Sequence, residues 1–388
     1  MESNRTRRKI TFVSTLSFIS WGGSELLWSE AALHLARSGH SISANVSGWP
    51  ERASQVSALM KSGVSVQERS FARAGIRPEM LGKAFSAIAR RISYRKFSRW
   101  LVHEHADLIC ISTGSPADDP GLINLCLRSG RPYALITQAN TEALWPEDAS
   151  ARKMTDFFQG ARRAYFVSRS NLRLLETQLG IELANAEVIR NPFNVSWDAN
   201  PRWPDTANPV RLACVGRLDP RAKGQDLLLQ VLAAEPWRSR PVEISFYGKG
   251  PMEEGLRRLA QRLGLNGRVR FCGHENNVER IWTTHHALVL PSRFEGLPLA
   301  IVEAMLCGRP VIVTDVAGNA ELVEEGVTGF VAEAATVRHL HEAMERAWTH
   351  RQDWENVGKA AARSIRKQIP ADPAAEFARN LLALTGNS

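Results

Sequence analysis

Two carboxylates eight positions apart frame the stretch Glu295-Gly296-Leu297-Pro298-Leu299-Ala300-Ile301-Val302-Glu303-Ala304-Met305. Pro298 suits a first helical position and Gly308 a stop, so the spacing predicts a helix over 298–306. That helix is apolar all round except for Glu303. Such a helix is buried, and an ionised carboxylate within it is costly unless something donates hydrogen bonds to it. Two vicinal ribose hydroxyls would do so; a neighbouring arginine is the plainer alternative. The backbone N–H groups of Gly296 and Leu297, at the helix start, would face the same ligand. Upstream, Gly216-Arg217-Leu218-Asp219-Pro220-Arg221-Ala222-Lys223-Gly224 sets Arg217 and Lys223 around a loop that precedes a helix. Two cations beside a helix N-terminus suit a diphosphate, although a solvated basic loop would look the same. Gly248-Lys249-Gly250-Pro251 and Phe271-Cys272-Gly273-His274 are two more strand-to-helix turns, in which glycine lets backbone approach a ligand closely.

The elements that must position these residues are strands and helices in alternation. In the first half, strands are expected at 9–18, 41–46, 64–68, 108–113, 133–137 and 163–167. Helices are expected at 24–37, capped by Ser24, and at 51–61, 120–128 and 171–180. In the second half, strands at 210–215, 242–247, 269–272, 287–290 and 310–314 alternate with helices at 225–234, 252–263, 298–306 and 337–349. This order implies parallel sheets covered on both faces. The stretch 193–209, with Pro201, Pro204 and Pro209 in polar surroundings, reads as a linker. The expected architecture is α/β. Two Rossmann-like domains, 1–192 and 210–370, face each other across a cleft. A final helix, within 371–388, crosses back to the first domain. Open α/β sheets bind ligands at their strand C-termini.

With 388 residues the chain is long enough for two such domains. Of its net charge of +9, residues 1–190 carry +8 (25 Lys/Arg against 17 Asp/Glu) and residues 191–388 carry +1 (24 against 23). The first half is therefore the better partner for something anionic. The basic excess alone permits nucleic acid, but no recognition motif supports it. No run reaches the roughly 18–20 apolar residues of a membrane span. The basic start Arg5-Thr6-Arg7-Arg8-Lys9 precedes a serine- and threonine-interrupted run, which reads as a buried first strand of a cytoplasmic chain and not as a leader. Cys110, Cys126, Cys214, Cys272 and Cys307 form no CxxC and read as reduced core thiols. The pairs His103/His105, His285/His286 and His339/His341 have no partners at metal-ligand spacing.

In order and spacing, residues 210–332 resemble the donor domain of family 4 retaining glycosyltransferases. The resemblance rests on Gly216-Arg217-Leu218, Lys223-Gly224, Gly248-x-Gly250-Pro251, Phe271-x-Gly273 and the Glu295–Met305 stretch. Gly308-x-Pro310-Val311, Gly318-x-x-Glu321-Leu322 and Gly329-Phe330 also match. The first domain matches mainly through Gly22-Gly23-Ser24-Glu25. The resemblance implies the GT-B fold and transfer of a sugar from a nucleotide-diphosphate sugar. It assigns Arg217 and Lys223 to the donor diphosphate, Glu295 to the transferred sugar and Glu303 to the ribose. Gly22 and Gly23 would bring backbone to the phosphates and acceptor, and the backbone around Gly273–Val278 would frame the base. Many members carry a His after the fifth strand; this chain reads Ile136-Thr137-Gln138-Ala139-Asn140, so Gln138 or Asn140 would take its place toward a sugar hydroxyl.

Arg217, Lys223 and the amides at 296–297 would stabilise the departing diphosphate, the task a divalent metal does elsewhere. No Asp-x-Asp pair stands at a strand end, so neither metal nor other cofactor is expected. Retention by a covalent route would need a first-domain carboxylate near the reacting carbon, and only Glu25 and Glu142 offer themselves. Same-face attack, with the leaving phosphate taking the acceptor's proton, fits the residues better. On the acceptor side, Trp145 is placed to stack on a sugar ring or to pack at the cleft rim. Residues 69–99 hold nine basic residues and one acidic residue. There Leu81, Phe85, Ile88 and Ile92 form a helical stripe with Lys83, Arg90 and Arg91 off it. This reads either as a helix with a solvated basic face or as a peripheral membrane contact near a lipid-linked or polysaccharide acceptor of bacterial type. An epimerase or hydrolase on the same scaffold would want an extra acid–base cluster that is not evident. A non-catalytic sugar-nucleotide binder should have lost part of the donor set.

Overall fold

The computed structural model describes residues 7–17, 19–70, 83–205 and 209–386, except for the side chains of residues 70 and 83–89. The chain divides into two compact units. One comprises Met1–Pro192 with Asp372–Ser388, and the other Phe193–Ala371.

The first unit is built on β1 (Lys9–Ser14), β2 (Ser41–Gly48), β3 (Ser65–Ser70), β4 (Leu108–Thr113), β5 (Tyr133–Thr137), β6 (Arg163–Phe166) and β7 (Ala186–Val188). These form one parallel sheet in the order β3-β2-β1-β4-β5-β6-β7. The crossovers carry α1 (Leu26–Arg37), α2 (Ser54–Lys61), α3 (Lys83–Glu104), α4 (Pro120–Arg128), α5 (Asp148–Gln159) and α6 (Arg169–Leu179). Local signals set the boundaries. The Asp119 side chain caps α4 by accepting from the Leu122 N–H at 3.0 Å, with Pro120 in the first turn. Ser168 caps α6, which ends at Gly180 in the left-handed region. Ser24 departs from its expected role. It lies in a 3₁₀ turn, Gly23–Glu25, and its hydroxyl turns to the Glu25 carboxylate instead of capping α1.

In the second unit, β8 (Val210–Val215), β9 (Val242–Tyr247), β10 (Val269–Gly273), β11 (Ala287–Leu290), β12 (Val311–Thr314) and β13 (Gly329–Ala332) form a parallel sheet in the order β10-β9-β8-β11-β12-β13. Its helices are α7 (Pro220–Lys223), α8 (Gln225–Ala233), α9 (Glu253–Arg262), α10 (Val278–Trp282), α11 (Leu299–Leu306), α12 (Val337–Thr349) and α13 (Trp354–Gln368). The stretch expected to be a linker is not one over its described part, 193–205. It lies on the second unit because two arginines bind its unpaired carbonyls. Arg366 donates to Trp197 and Ala199, and Arg309 to Pro201 and Arg202.

The last helix, α14 (Pro373–Leu384), belongs to the first unit and packs on α1. Phe377 is fully buried, edge-on to Tyr165 at 5.1 Å, in the core that also holds Trp28, Ala31 and Ala32. Arg162 donates to the Leu384 carbonyl and Asn380 to Glu187 at 3.2 Å, which fixes the helix against the β6–β7 edge.

The first sheet reverses its order between β1 and β4. There the chain supplies its own occupant. Arg69, 4% exposed, reaches back over the strand ends to the carbonyls of Ser14 and Asn45, the Asn45 side chain and the Ser47 hydroxyl. Glu25 is buried nearby, taking hydrogen bonds from the Trp28 indole at 3.0 Å and from Ser14 and Ser24. Burial pushes the Glu25 carboxyl from 4.5 up to about 7, against the pull of those donors and Arg69, and pushes Arg69 down to about 10.

This packing has two measurable outcomes. Phe377→Ala is expected to lose about 3–5 kcal/mol of first-unit stability through the cavity it opens, measured by denaturant unfolding; a loss below 1 kcal/mol would mean that α14 does not close that core. Glu25 binds its proton more tightly in the folded protein than in the unfolded chain. Its contribution is therefore full below pH 4.5 and is lost as pH rises to about 7, a span of roughly 3 kcal/mol. Glu25→Gln should flatten that slope and be the more stable protein at pH 8. An unchanged slope between pH 5 and 8 would assign it to another group.

Candidate functional site

β8 and β11 are neighbours in the second sheet although far apart in sequence, so the loops at their C-terminal ends meet where the strand order reverses. These are the loops that carry Arg217, Lys223 and Glu295. They are laced together. The Ala222 carbonyl accepts from the N–H groups of Arg293 and Phe294 at 2.8 and 3.0 Å. The Arg293 guanidinium grips the Asp226 carboxylate at 2.5 and 2.9 Å and the Pro220 carbonyl at 2.7 Å. Across this seam Lys223 Nζ meets Glu295 Oε1 at 2.5 Å, and the Ser292 hydroxyl donates to the same oxygen at 2.7 Å. Thr314, at the end of β12, holds the Ser292 carbonyl at 2.6 Å.

α11 is buried along its length, as its composition implied, with Glu303 3% exposed. Pro298 stands one position ahead of its expected place, at the N-cap with an extended ψ of 125°. The partner of Glu303 is neither an arginine nor any residue singled out from the sequence. It is Asn194, which donates its backbone N–H at 3.0 Å and its side-chain amide at 2.8 Å, both to Oε1. Burial raises the pKa of Glu303 and the two Asn194 bonds draw it back. Both carboxylates thus have Oε1 anchored by the chain, and among the described residues no hydrogen bond reaches either Oε2.

Arg217 lies 3.2 Å from Asp219 and is 38% exposed; Arg221 shares that carboxylate. Among the described residues, the N–H groups of Gly296 and Leu297 enter no hydrogen bond within the chain. The Gly296 carbonyl accepts from Gly318 at 3.0 Å. The glycines serve a different approach from the one expected. A Cβ on Gly224 (φ +62°) would sit 1.9 Å from the Pro291 carbonyl oxygen, and one on Gly248 (φ +133°) 2.1 Å from that of Gly216. The close contact is of loop on loop, which lets the loops after β8, β9 and β11 nest. At Gly273 a Cβ would meet nothing, and the residue answers only to its φ of +70°.

The first-unit candidates lie at three strand ends. Gly22 and Gly23 open the turn after β1; a Cβ on Gly22 would press on the Ile19 side chain at 2.9 Å. Gln138 and Asn140 follow β5, and their carbonyls are already engaged. Gln138 Oε1 accepts from Asn191 at 2.8 Å and Asn140 Oδ1 from the Thr141 N–H at 2.9 Å. Asn140 also donates to Gln178 at 2.8 Å. Glu142 opens an exposed 3₁₀ turn and Trp145, just beyond it, is 60% exposed. On α3, Arg90 and Arg91 are exposed, while Leu81 and the side chains of Lys83, Phe85 and Ile88 lie outside the described residues. Ile92, expected on the apolar stripe, is 50% exposed; Phe97 and Leu101 take the buried face.

Among the described residues no group of three or more His, Cys, Asp or Glu could hold a metal ion. His285 and His286 are buried, and burial pulls His285 down to about 4. Four cysteines are buried and all five are unpaired. Cys272 is exposed, because alternate residues of the edge strand β10 face outward. No described helix is long and apolar enough to cross a membrane.

Residues 209–350 match the family model described as glycosyl transferases group 1. The alpha-D-kanosaminyltransferase of Streptomyces kanamyceticus is 30% identical over 150 residues, 38% of this chain and 39% of that protein's length. The crystal structure of Anabaena HepE in complex with UDP and glucose superposes with a TM-score of 0.74 at 19% identity, covering 97% of this chain and all of that one. A glycosyltransferase from Rickettsia africae superposes at 0.75 with 15% identity, over 99% and 100% of the two chains. Residues 209–350 are therefore similar to the glycosyl transferases group 1 family, and the chain has the two-domain α/β fold of these solved structures, GT-B.

Proposed function

We propose that this protein is a retaining, metal-independent glycosyltransferase of family 4 that moves a sugar from a nucleoside-diphosphate sugar to a glycan or lipid-linked acceptor. The observation that carries this reading is a pair of half-anchored carboxylates: Glu295, beside Lys223 in the loops that also hold Arg217 and two unbonded amides, and Glu303, on the helix that follows. That arrangement lies inside the region matched to glycosyl transferases group 1.

On this reading the diphosphate sits on Arg217, Lys223 and the N–H groups of Gly296 and Leu297. Lys223 then shares its charge between phosphate and Glu295, and the freed oxygen of Glu295 accepts from the sugar's hydroxyls. The Glu303 Oε2 accepts from the ribose. As the C1–O bond breaks, its electron pair goes to the diphosphate, whose growing charge faces the cations and amides. The acceptor oxygen bonds to C1 on the same face and passes its proton to the departing phosphate. The Gly22–Gly23 turn would serve the phosphates and acceptor. Gln138, Asn140, Glu142 and Trp145 would serve the sugar and acceptor. A bacterial glycolipid or surface-polysaccharide precursor fits the basic excess of the first half, with the exposed Arg90 and Arg91 toward an anionic membrane face.

The test is a thermal-shift screen against UDP-, GDP-, ADP- and TDP-sugars with and without EDTA. At 100 times its dissociation constant a donor should stabilise the protein by about 2.7 kcal/mol, with no effect of EDTA. No response to any of them would remove the donor assignment. Arg217→Ala should cost about 3 kcal/mol of transition-state stabilisation in kcat/KM, and Glu303→Ala should nearly abolish turnover while the protein stays folded. Normal turnover in either variant would sink the role given to that residue.

A further inference from the structure

Glu303 is held by a segment that carries none of the recognised motifs. Asn194 lies just past the boundary between the units and sends two donors to one oxygen of that carboxylate. The residues beyond Asn194 are tied to the end of the helix that carries Glu303. Arg366, in α13, donates to the carbonyls of Trp197 at 2.9 Å and Ala199 at 3.2 Å, and with the same guanidinium to Leu306, the last residue of α11, at 3.1 Å. Arg309 likewise joins the Arg202 carbonyl to that of Cys307, both at 2.8 Å. The last carbonyls of a helix have no partner within it. Each arginine therefore satisfies the helix end and sets the register of the segment along it. Leu306 is three residues, one turn, beyond Glu303 on the same face. Fixing the segment there brings Asn194 to the carboxylate.

We propose that Asn194 is a positioning residue for the nucleoside end of the donor. By pinning Oε1 of Glu303 with two hydrogen bonds it fixes the carboxylate's plane and presents Oε2 to a vicinal diol. The inference rests on the donor reading above and adds to it the residue through which the ribose is selected. An amide suits the task because it donates without bringing a second negative charge into a buried place. Asn194 is itself exposed, so its replacement leaves the core intact.

The experiment compares binding of UDP, GDP and ADP with that of their 2′,3′-dideoxy counterparts, by titration calorimetry on the full chain. The variants are Asn194→Ala, Glu303→Gln and the double variant. The wild type should prefer the ribose form by about tenfold or more, the worth of hydrogen bonds to a charged group. Asn194→Ala should lose most of that preference with little change in dideoxy binding. The double variant should discriminate no worse than Glu303→Gln. A general structural role would instead weaken both forms equally. If Asn194→Ala does not melt cooperatively, Asn194→Ser is read in its place and should keep an intermediate preference. Full ribose preference in Asn194→Ala, alongside its loss in Glu303→Gln, would overturn the proposal while leaving the donor reading intact. If the wild type binds none of the three diphosphates, the donor reading falls and takes this inference with it.

Discussion

A carboxylate inside a helix that is apolar on every side has to be given hydrogen bonds or lose its charge. The second unit is arranged around that constraint. Glu303 takes its donors from the main chain and the short amide of Asn194, in a segment that passes close by. That segment is irregular and would leave its own carbonyls bare. Arg309 and Arg366 answer both needs by binding those carbonyls together with the end of α11. Glu295 is solved differently, by a cation and a hydroxyl across a seam of two loops that meet only because the sheet reverses its order there.

The elements were legible in the sequence where a short apolar run or a cap announced them. Pro120–Arg128 is the expected helix to the residue, and most strands fall within two residues of expectation. α13 escaped although Trp354, Val357 and Ile365 face its core together with the small Gly358 and Ala361. β7 escaped because it is only three residues long. The placement of Lys223 and Glu295 at one switch point followed from their turns lying after strands that the fold makes adjacent. Asn194 was hidden by its company: among prolines and polar residues it looks like any linker residue. Only three-dimensional register shows where its amide goes. Glycines in the turns signal close approach, but a one-dimensional pattern does not say what approaches. At Gly224 and Gly248 it is the neighbouring loop.

The two sheets treat the same topological position in opposite ways. In the second, the strand ends at the reversal present a lysine–glutamate pair with unshared oxygen and backbone N–H groups beside it. In the first, the corresponding place is filled by Arg69 and Glu25, both buried and spent on the chain's own groups. The first unit therefore leaves less of its polar chemistry unspent there. Beside these two residues, at the same strand ends, lie the backbone of the Gly22–Gly23 turn and the side chains beyond β5. Gln138 and Asn140, at the place where the resemblance leads one to expect an imidazole, are braced by Asn191 and Gln178 and hold fixed positions.

The return of α14 to the first unit bears on the order in which the molecule is made. The first unit leaves the ribosome before the second, yet one face of α1 and the ring of Tyr165 remain uncovered until the final helix has been synthesised. The second unit, contiguous from Phe193 to Ala371, can close its core while the first is still waiting. The half that is started first is finished last. A chain cut short before α14 would spare the second unit and strand the first, with an apolar surface exposed for as long as the truncated chain survives.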